Sequence, residues 1–322
     1  MLNITSSGVP SLLWTNLKQS LQKVFNQEIN YKVDTDTFTD VHIQYDFYSQ
    51  NQLIPGKFKV LILGEPKSVI PWQYKKKNLN RFDLIIAVGE KRAQNLKIKT
   101  WINASYDFEK FLSNESLRNR SAVMINSAKF SSNKSSLYGF RRSLSIAMHR
   151  SDLDYDLIGD NWHMPKTKEL RERIWALRKD LLAGYFPSLS EAFSHFFYKY
   201  PEYIGRVDDK FNAFSKYKYA LIIENEADYV SEKLFDAIAA GCVPIYVGPN
   251  LSRYKNLAKC VMAFEPSVNL ILDYFKSGDK TLFLEKKQFI DNQENYLGDI
   301  QNFSSEFNSM KVARLIFENI KI

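Results

Sequence analysis

The residues with the most chemical content lie between Tyr219 and Asn250, in YALIIENEADYVSEKLFDAIAAGCVPIYVGPN. Read as a helix from about Asp228 to Ala240 at ~100° per residue, this stretch gathers Tyr229, Glu232, Lys233 and Asp236 on one polar arc. Val230, Leu234, Ala237 and Ile238 fill a separate arc, the stripe that faces a core. The polar arc brings an aromatic ring, a carboxylate and an ammonium to the first turn, where unpaired N–H groups and the positive end of the helix dipole lie. That set suits a nucleoside diphosphate, with Lys233 and the dipole toward the phosphates and Glu232 toward ribose hydroxyls. Tyr229 would pack or hydrogen-bond beside them. The same residues also fit an ordinary amphipathic helix with an i,i+3 Lys233–Asp236 surface pair. From the residues alone both readings stand.

Two further carboxylates sit where apolar strands end. KFKVLILGEP reads as a buried strand, Val60–Leu63, closing in the turn Gly64-Glu65-Pro66. DLIIAVGE, from Asp83, is a second such strand, closing at Gly89-Glu90. In open parallel sheets ligands bind outside the carboxyl ends of strands, which puts Glu65 and Glu90 in view. The four histidines, His42, His149, His163 and His195, have no i,i+4 or HExxH spacing, so no His-built metal site is expected. Cys242 and Cys260 lie in apolar stretches and are expected as buried free thiols of a reducing compartment. In that setting a sequon such as Asn103-Ala-Ser105 carries no weight.

The elements that must position these groups alternate between strand and helix patterns. Leu13, Leu17, Leu21 and Val24 predict an amphipathic helix over 11–26, with a short strand around Val41–Tyr45 after it. Between Asp107 and Ser121 the chain turns polar, a candidate linker. SAVMINS, Ser121–Ser127, restarts the strand pattern and precedes a helix through FRRSLSIAMHR. Residues 165–184 carry charges all round and predict a long exposed helix. Tyr219–Ile223 and Cys242–Val247 are the strands flanking the motif helix. Phe303, Phe307, Met310, Ala313, Phe317 and Ile320 step by three or four and predict a last helix. Apolar strands alternating with helices and closing in glycine loops predict parallel α/β sheets.

Composition excludes several classes. With 322 residues, 45% hydrophobic, 14% aromatic and 25% charged, the chain has material for two cored domains and is not disordered. No collagen, solenoid or propeller period is present. No apolar run approaches ~18 residues, so no membrane-spanning helix is predicted. MLNITSSGVPSLLWTNLKQ lacks the basic-then-apolar order of a signal peptide. The net charge, 44 − 36 = +8, is consistent with an anionic partner, or with lysines spread over a solvated surface. No RNA-binding aromatic signature, zinc motif or heptad accompanies Lys75-Lys76-Lys77, so nucleic acid is not expected as a partner.

The string ENEADYVSEKLFDAIAAGCVPIYVGP resembles the donor-binding signature of glycosyltransferase family 10, the α1,3/α1,4-fucosyltransferases. That signature runs F-E-N-S, a few residues, then D/G-Y-V/I-T-E-K-L, a helix, and V-P-V-x-x-G. The likeness extends upstream through YIGRVDDKFNAFSKYKYALIIEN to AVMINS, Arg141-Arg142 and a Gly-Asp-Asn-Trp segment. It covers about Ser121–Pro266. LGEP resembles the strand-end motif that holds the family's catalytic glutamate. Ser231 stands where the family has threonine, Ile223 where it has phenylalanine and Glu226 where it often has serine.

The resemblance implies an α/β fold of GT-B architecture, two Rossmann-like domains with parallel sheets facing across a cleft. Residues 1–118 would bind acceptor, 119–302 would bind the GDP-sugar, and 303–322 would form a C-terminal helix packing back on the first domain. It implies an inverting transfer of L-fucose from GDP-fucose to a hydroxyl of an N-acetylglucosamine-containing glycan, α1,3 by expectation. The competing assignments are a GT-B transferase using another nucleotide sugar and a non-catalytic glycan or nucleic-acid binder. The general base is carried over to Glu65, with Glu90 as the alternative. Lys233 and Arg142, or its neighbour Arg141, would neutralise the leaving phosphate, Asn225 and Tyr229 would contact nucleotide or fucose, and Glu232 would hold ribose. GT-A enzymes hold a metal through Asp-x-Asp, a spacing found here at Asp34-Thr35-Asp36 and Asp154-Tyr155-Asp156. GT-B donors are held by cations and a helix dipole, so no essential metal and no tightly bound cofactor are expected. The acceptor would be an oligosaccharide or glycolipid, and the enzyme would be cytoplasmic with peripheral contact at the inner face of an anionic membrane.

Overall fold

A computed structural model describes residues 1–8, 11–33, 37–47, 54–95, 98–107, 118–131, 133–163, 167–182 and 189–320. The chain divides into two compact units. One comprises Met1–Phe108, Asp228–Val230 and Gln301–Ile322; the other comprises Glu109–Ala227 and Ser231–Ile300. The linker predicted at 107–121 falls mostly outside the described residues.

The first unit is a six-stranded sheet built from β1 (Leu2–Ser7), β2 (Ile29–Val33), β3 (Thr39–Tyr45), β4 (Gly56–Leu63), β5 (Leu84–Val88) and β6 (Thr100–Ile102). Its order is β2-β1-β3-β4-β5-β6, and every pairing is parallel. Val60–Leu63 and Ile86–Ala87 are wholly buried, as apolar runs covered on both faces must be. The helix Ser11–Phe25 lies against the C-terminal helix Ser305–Asn319. Phe25 and Phe317 meet edge-on at 5.1 Å, and the Ser309 hydroxyl donates to the Leu13 carbonyl at 3.2 Å. The buried stripe of that last helix is Ser305, Asn308, Ser309, Val312, Ala313 and Ile316, while Phe307 and Phe317 are exposed. Of the stripe predicted from spacing, Phe303 and Ala313 are buried but Phe307 and Phe317 are not, and the polar Asn308 and Ser309 are buried through hydrogen bonds instead.

The second unit holds β7 (Arg120–Ile125), β8 (Tyr155–Ile158), β9 (Tyr203–Gly205), β10 (Tyr217–Ile223), β11 (Val243–Val247) and β12 (Met262–Ala263). The order is β12-β11-β10-β7-β8-β9, again all parallel. Counted within the unit this is the doubly wound Rossmann order, with its switch point between β7 and β10. Beside that point Trp162 is completely buried. Its indole N–H donates to the Asn126 carbonyl at 2.5 Å, and its ring stands edge-on to Tyr200 at 4.7 Å. Gly159, at φ +131°, lets the chain pass: a Cβ there would stand 2.2 Å from the Asn126 carbonyl oxygen. Trp162→Ala should cost about 3–5 kcal/mol. Urea unfolding followed by circular dichroism should show a lowered midpoint, and an unchanged midpoint would contradict this packing account.

Candidate functional site

In the second unit the site is built on the loop that follows β10. Glu224, the first residue past the strand, is wholly buried. Its Oε1 accepts the Ser231 N–H at 2.9 Å, while Oε2 is buried without a hydrogen bond. Burial raises its pKa, against the opposing pull of the Lys233 ammonium and the Ser231 N–H. Ser231 is held extended (φ −101°, ψ 167°) as the N-cap of the helix Glu232–Ala239. The helix therefore starts at Glu232, not at the Asp228 predicted from periodicity. The arc inferred for a longer helix holds for Glu232 and Lys233 but not for Tyr229, which precedes the first turn. Asp236 is buried rather than half of a surface pair.

Glu232 and Lys233 thus occupy the first two helical positions, at the positive dipole end of the helix. Glu232 Oε1 accepts Lys210 Nζ at 2.7 Å and lies 3.5 Å from Lys233 Nζ. Burial alone would raise the Glu232 pKa, but Lys233 and Lys210 together bring it well below the ordinary carboxylate range. Lys233 Nζ is also 3.4 Å from the Ser231 hydroxyl.

Arg141 and Arg142, both buried on the helix Tyr138–Arg150, are distinguished by their partners. Arg141 donates from Nε at 2.9 Å and Nη2 at 2.5 Å to the Ile223 carbonyl, and from Nη2 at 3.0 Å to Asn225 Oδ1. Burial pushes its pKa down to about 10. Arg142 donates to the Lys129 carbonyl at 2.5 Å and lies 5.9 Å from the Phe130 ring centroid. Arg141 is therefore the one at the carboxyl end of β10, beside Asn225, and Arg142 is bound to the segment after β7. The rest of the loop is fastened to the residues before that helix. The Asn225 carbonyl accepts Leu137 N–H at 3.1 Å, and Glu226 accepts Asn133 Nδ2 at 2.9 Å.

Two features at the same edge were not anticipated. Asn126, directly after β7 at the switch point, is buried with both amide atoms unpartnered. A cavity of about 440 Å³ opens at the carboxyl ends of β11 and β12, with Leu137, Ala227, Tyr246, Leu251, Phe264 and Glu265 among its walls. Glu224 and Asn126 both fall within the quoted likeness, but apart from ending apolar runs neither has a spacing that shows it buried and holding or facing the loop. Lys210 lies within the upstream likeness, but nothing in its spacing marks it as the partner of Glu232.

In the first unit Glu65 follows β4, and both sides of its peptide backbone are clamped. Its N–H donates to Asp46 Oδ1 at 3.0 Å. Its carbonyl accepts Tyr74 OH at 2.6 Å and Gln73 Nε2 at 3.2 Å. Its carboxylate Oε2 is buried with no hydrogen-bond partner. Asp46 is wholly buried, sits in the left-handed region (φ 48°), and also accepts Gln73 Nε2 at 3.1 Å. Burial pushes its pKa up to about 6; the Glu65 and Gly64 N–H groups and Gln73 oppose that shift and the Glu65 charge adds to it.

The segment Asp228–Val230 belongs to this unit. The Tyr229 ring lies 5.0 Å from the Arg92 guanidinium, and Asp228 Oδ2 lies 3.9 Å from Arg92 Nε. Glu90 is half-buried as the first residue of the helix Glu90–Asn95. Of the two Asp-x-Asp runs, Asp34-Thr35-Asp36 lies outside the described residues. Asp156 of the other is committed to Tyr217 OH at 2.6 Å and Arg120 at 2.8 Å. Both cysteines are buried free thiols. No helix among the described residues is long and apolar enough to cross a membrane.

The sequence model of glycosyltransferase family 10 (fucosyltransferase), C-terminal part, matches residues 203–274, which hold Lys210, Glu224, Asn225, Tyr229, Glu232 and Lys233. A 47-residue stretch is 51% identical to a fucosyltransferase-like protein of Arabidopsis thaliana; it makes up 14% of this chain and spans 9% of that relative. Among solved structures, an α1,3-fucosyltransferase with GDP-fucose aligns with a TM-score of 0.54 at 18% identity, over 100% of this chain and 91% of that one. HepE of Anabaena in complex with UDP and glucose aligns at 0.57 with 9% identity, over 99% and 100%. A glycosyltransferase from Rickettsia africae ESF-5 aligns at 0.55 with 11% identity, over 99% and 99%. At such identities the solved structures speak for the fold, which is α/β with the GT-B architecture. Through residues 203–274, the stretch that carries the loop after β10, the chain resembles glycosyltransferase family 10, the α1,3/α1,4-fucosyltransferases.

Proposed function

We propose that this protein is an inverting fucosyltransferase that moves L-fucose from GDP-fucose to a hydroxyl of an N-acetylglucosamine-containing glycan. The observation that carries the reading is the pair Glu232–Lys233 in the first turn of a helix at a Rossmann switch point, with Lys210 on the same carboxylate. An ammonium and a helix N-terminus at one place suit a diphosphate, and a carboxylate held ionised by lysines suits the hydroxyls of a ribose. Asn225, braced by Arg141, and Tyr229 contact the nucleotide or fucose in this reading. Asn126, with two unpartnered amide atoms at the same switch point, is a further group for donor contact.

In the transfer an acceptor oxygen bonds to the anomeric carbon as the bond from that carbon to the β-phosphate oxygen breaks. The acceptor proton passes to Glu65, and the electron pair of the broken bond stays on GDP, where Lys233 and Arg141 offset the new charge. Attack opposite the leaving group turns the β-linked donor into an α-linked product. Glu65 suits the base because its backbone is fixed on both sides while a carboxylate oxygen is left without a partner.

The donor is tested by thermal unfolding with GDP, GDP-fucose, GDP-mannose and UDP, since a ligand at 100 times its Kd adds ~2.7 kcal/mol. Stabilisation by GDP and GDP-fucose that Lys233→Ala abolishes is the expected result. A shift with UDP alone would replace the donor, and none with any nucleotide would point to a binding protein. Glu65→Gln should lower the transfer rate by about 10²–10⁴-fold with the GDP-induced shift intact; wild-type turnover would remove Glu65 from the base role.

Asp46 adds a dependence on pH. Its pKa is about 6 in the fold against 3.8 as the ordinary value, so between those values the native state holds a proton that the unfolded chain releases. Stability should therefore fall as pH rises from about 4 to about 6 by an amount on the order of 2–3 kcal/mol from this group. Asp46→Asn should flatten that stretch of the urea-stability profile, and an unaltered slope would exclude Asp46 as its source.

A further inference from the structure

Arg92 is buried on the helix Glu90–Asn95, and its reach links two places in the first unit. On one side its Nη1 donates to Tyr74 OH at 3.0 Å, and that hydroxyl donates in turn to the Glu65 carbonyl at 2.6 Å. On the other side Nε lies 3.9 Å from Asp228 Oδ2, and the guanidinium faces the Tyr229 ring at 5.0 Å. The same loop is seated by Gly89, at φ +97°, where a Cβ would stand only 2.7 Å from the Asp228 carbonyl oxygen. One buried cation thus touches both the clamp on Glu65 and the loop that presents Tyr229.

We propose that Arg92 is a positioning residue for the transfer reaction, holding the Glu65 main chain through Tyr74 and the Asp228–Val230 loop through its guanidinium. The inference rests on the roles given above to Glu65 and Tyr229. Arginine suits the task because its planar fork donates in several directions at once, keeps its charge when buried and stacks on aromatic faces. Lysine keeps the charge but offers one donor centre. Tyr74→Phe keeps the ring and removes the hydroxyl that donates to Glu65 and accepts from Arg92, breaking the Glu65 arm while Arg92 keeps its contacts to Asp228 and Tyr229. The two arms should therefore separate kinetically: the Tyr74 arm sets the rate of proton removal, and the Asp228–Tyr229 arm sets donor affinity as well.

The test compares wild type, Tyr74→Phe, Arg92→Lys and the double variant, with Glu65→Gln in parallel. Each is assayed for transfer from GDP-fucose to N-acetyllactosamine and to water, for GDP Kd by calorimetry, and for Tm. Tyr74→Phe should lower kcat about tenfold with GDP Kd unchanged. Arg92→Lys should lower kcat similarly and weaken GDP about three- to tenfold. The double variant should be no slower than Arg92→Lys, because residues acting in one chain are not additive. Wild-type kcat in either single variant overturns the proposal, as does a loss of kcat that follows Tm alone while Arg92→Lys keeps its GDP affinity. Wild-type turnover in Glu65→Gln would instead overturn the base assignment. A slow Glu65→Gln beside a fast Tyr74→Phe would leave that assignment standing and remove the linkage only.

Discussion

A buried carboxylate accepting a main-chain N–H holds the working loop in each unit. In the first, Asp46 takes the Glu65 N–H; in the second, Glu224 takes the Ser231 N–H. In the first unit the N–H comes from a residue just past β4. In the second the carboxylate follows β10 directly and takes the N–H of the helix N-cap, and neither N–H has a ladder partner. An anion is a stronger acceptor there than a neutral amide, but it must be stripped of water to serve. The cost is visible in both groups, whose pKa values burial drives up. What offsets it differs. Asp46 collects N–H donors from the turn and from Gln73, whereas Glu224 has the Lys233 charge. Glu65, Ser231, Glu232 and Lys233 take their directions from these two anchors.

Much of this organisation could be read from the residues alone. The apolar stretches at Val60–Leu63, Leu84–Val88, Tyr219–Ile223 and Cys242–Val247 announce buried strands, and all four fall on interior strands of the two sheets, β4, β5, β10 and β11. β1 gave no such signal because LNITSS carries polar side chains into the interior. Thr5 is buried there by pairing its hydroxyl with Thr39 at 2.8 Å and His42 at 2.9 Å. β2 is an edge strand with exposed residues, and β12 is two residues long, too short for any period to register. Periodicity also overran the start of the motif helix. Val230 fits an apolar stripe by spacing, yet the segment holding it packs with the first unit, and Ser231 is extended.

For the site itself, sequence could supply residues joined by short spacing and not those joined by folding. Glu232, Lys233, Asn225 and the adjacent arginines lie on a recognisable string. Asp46 and Arg92 have no local mark, and Lys210 and Asn126 lie in the quoted likeness without a spacing that gives their partners, because those partners come from the strand or helix that delivers them. Arg141 and Arg142 point about 100° apart on their helix, and folding alone shows that Arg141 bonds the end of β10 while Arg142 bonds the segment after β7.

The cations of the second unit divide their work according to shape. Arg141 spends its fork on the Ile223 carbonyl and on Asn225, which braces the end of β10. Lys233 has no such fixed geometry. Its nearest acceptors, the Ser231 hydroxyl at 3.4 Å and Glu232 at 3.5 Å, are long contacts that a charged ligand would replace at little cost. Lys210, at 2.7 Å from Glu232, is the partner that stays. If Lys233 turned to a diphosphate and Glu232 had no second cation, the carboxylate would face the incoming anion alone. At an effective dielectric of about 20, two like charges 4 Å apart repel by ~4 kcal/mol. In the proposed donor site Lys210 would offset that repulsion, leaving Lys233 for the phosphates and keeping the Glu232 carboxylate ionised for hydroxyls.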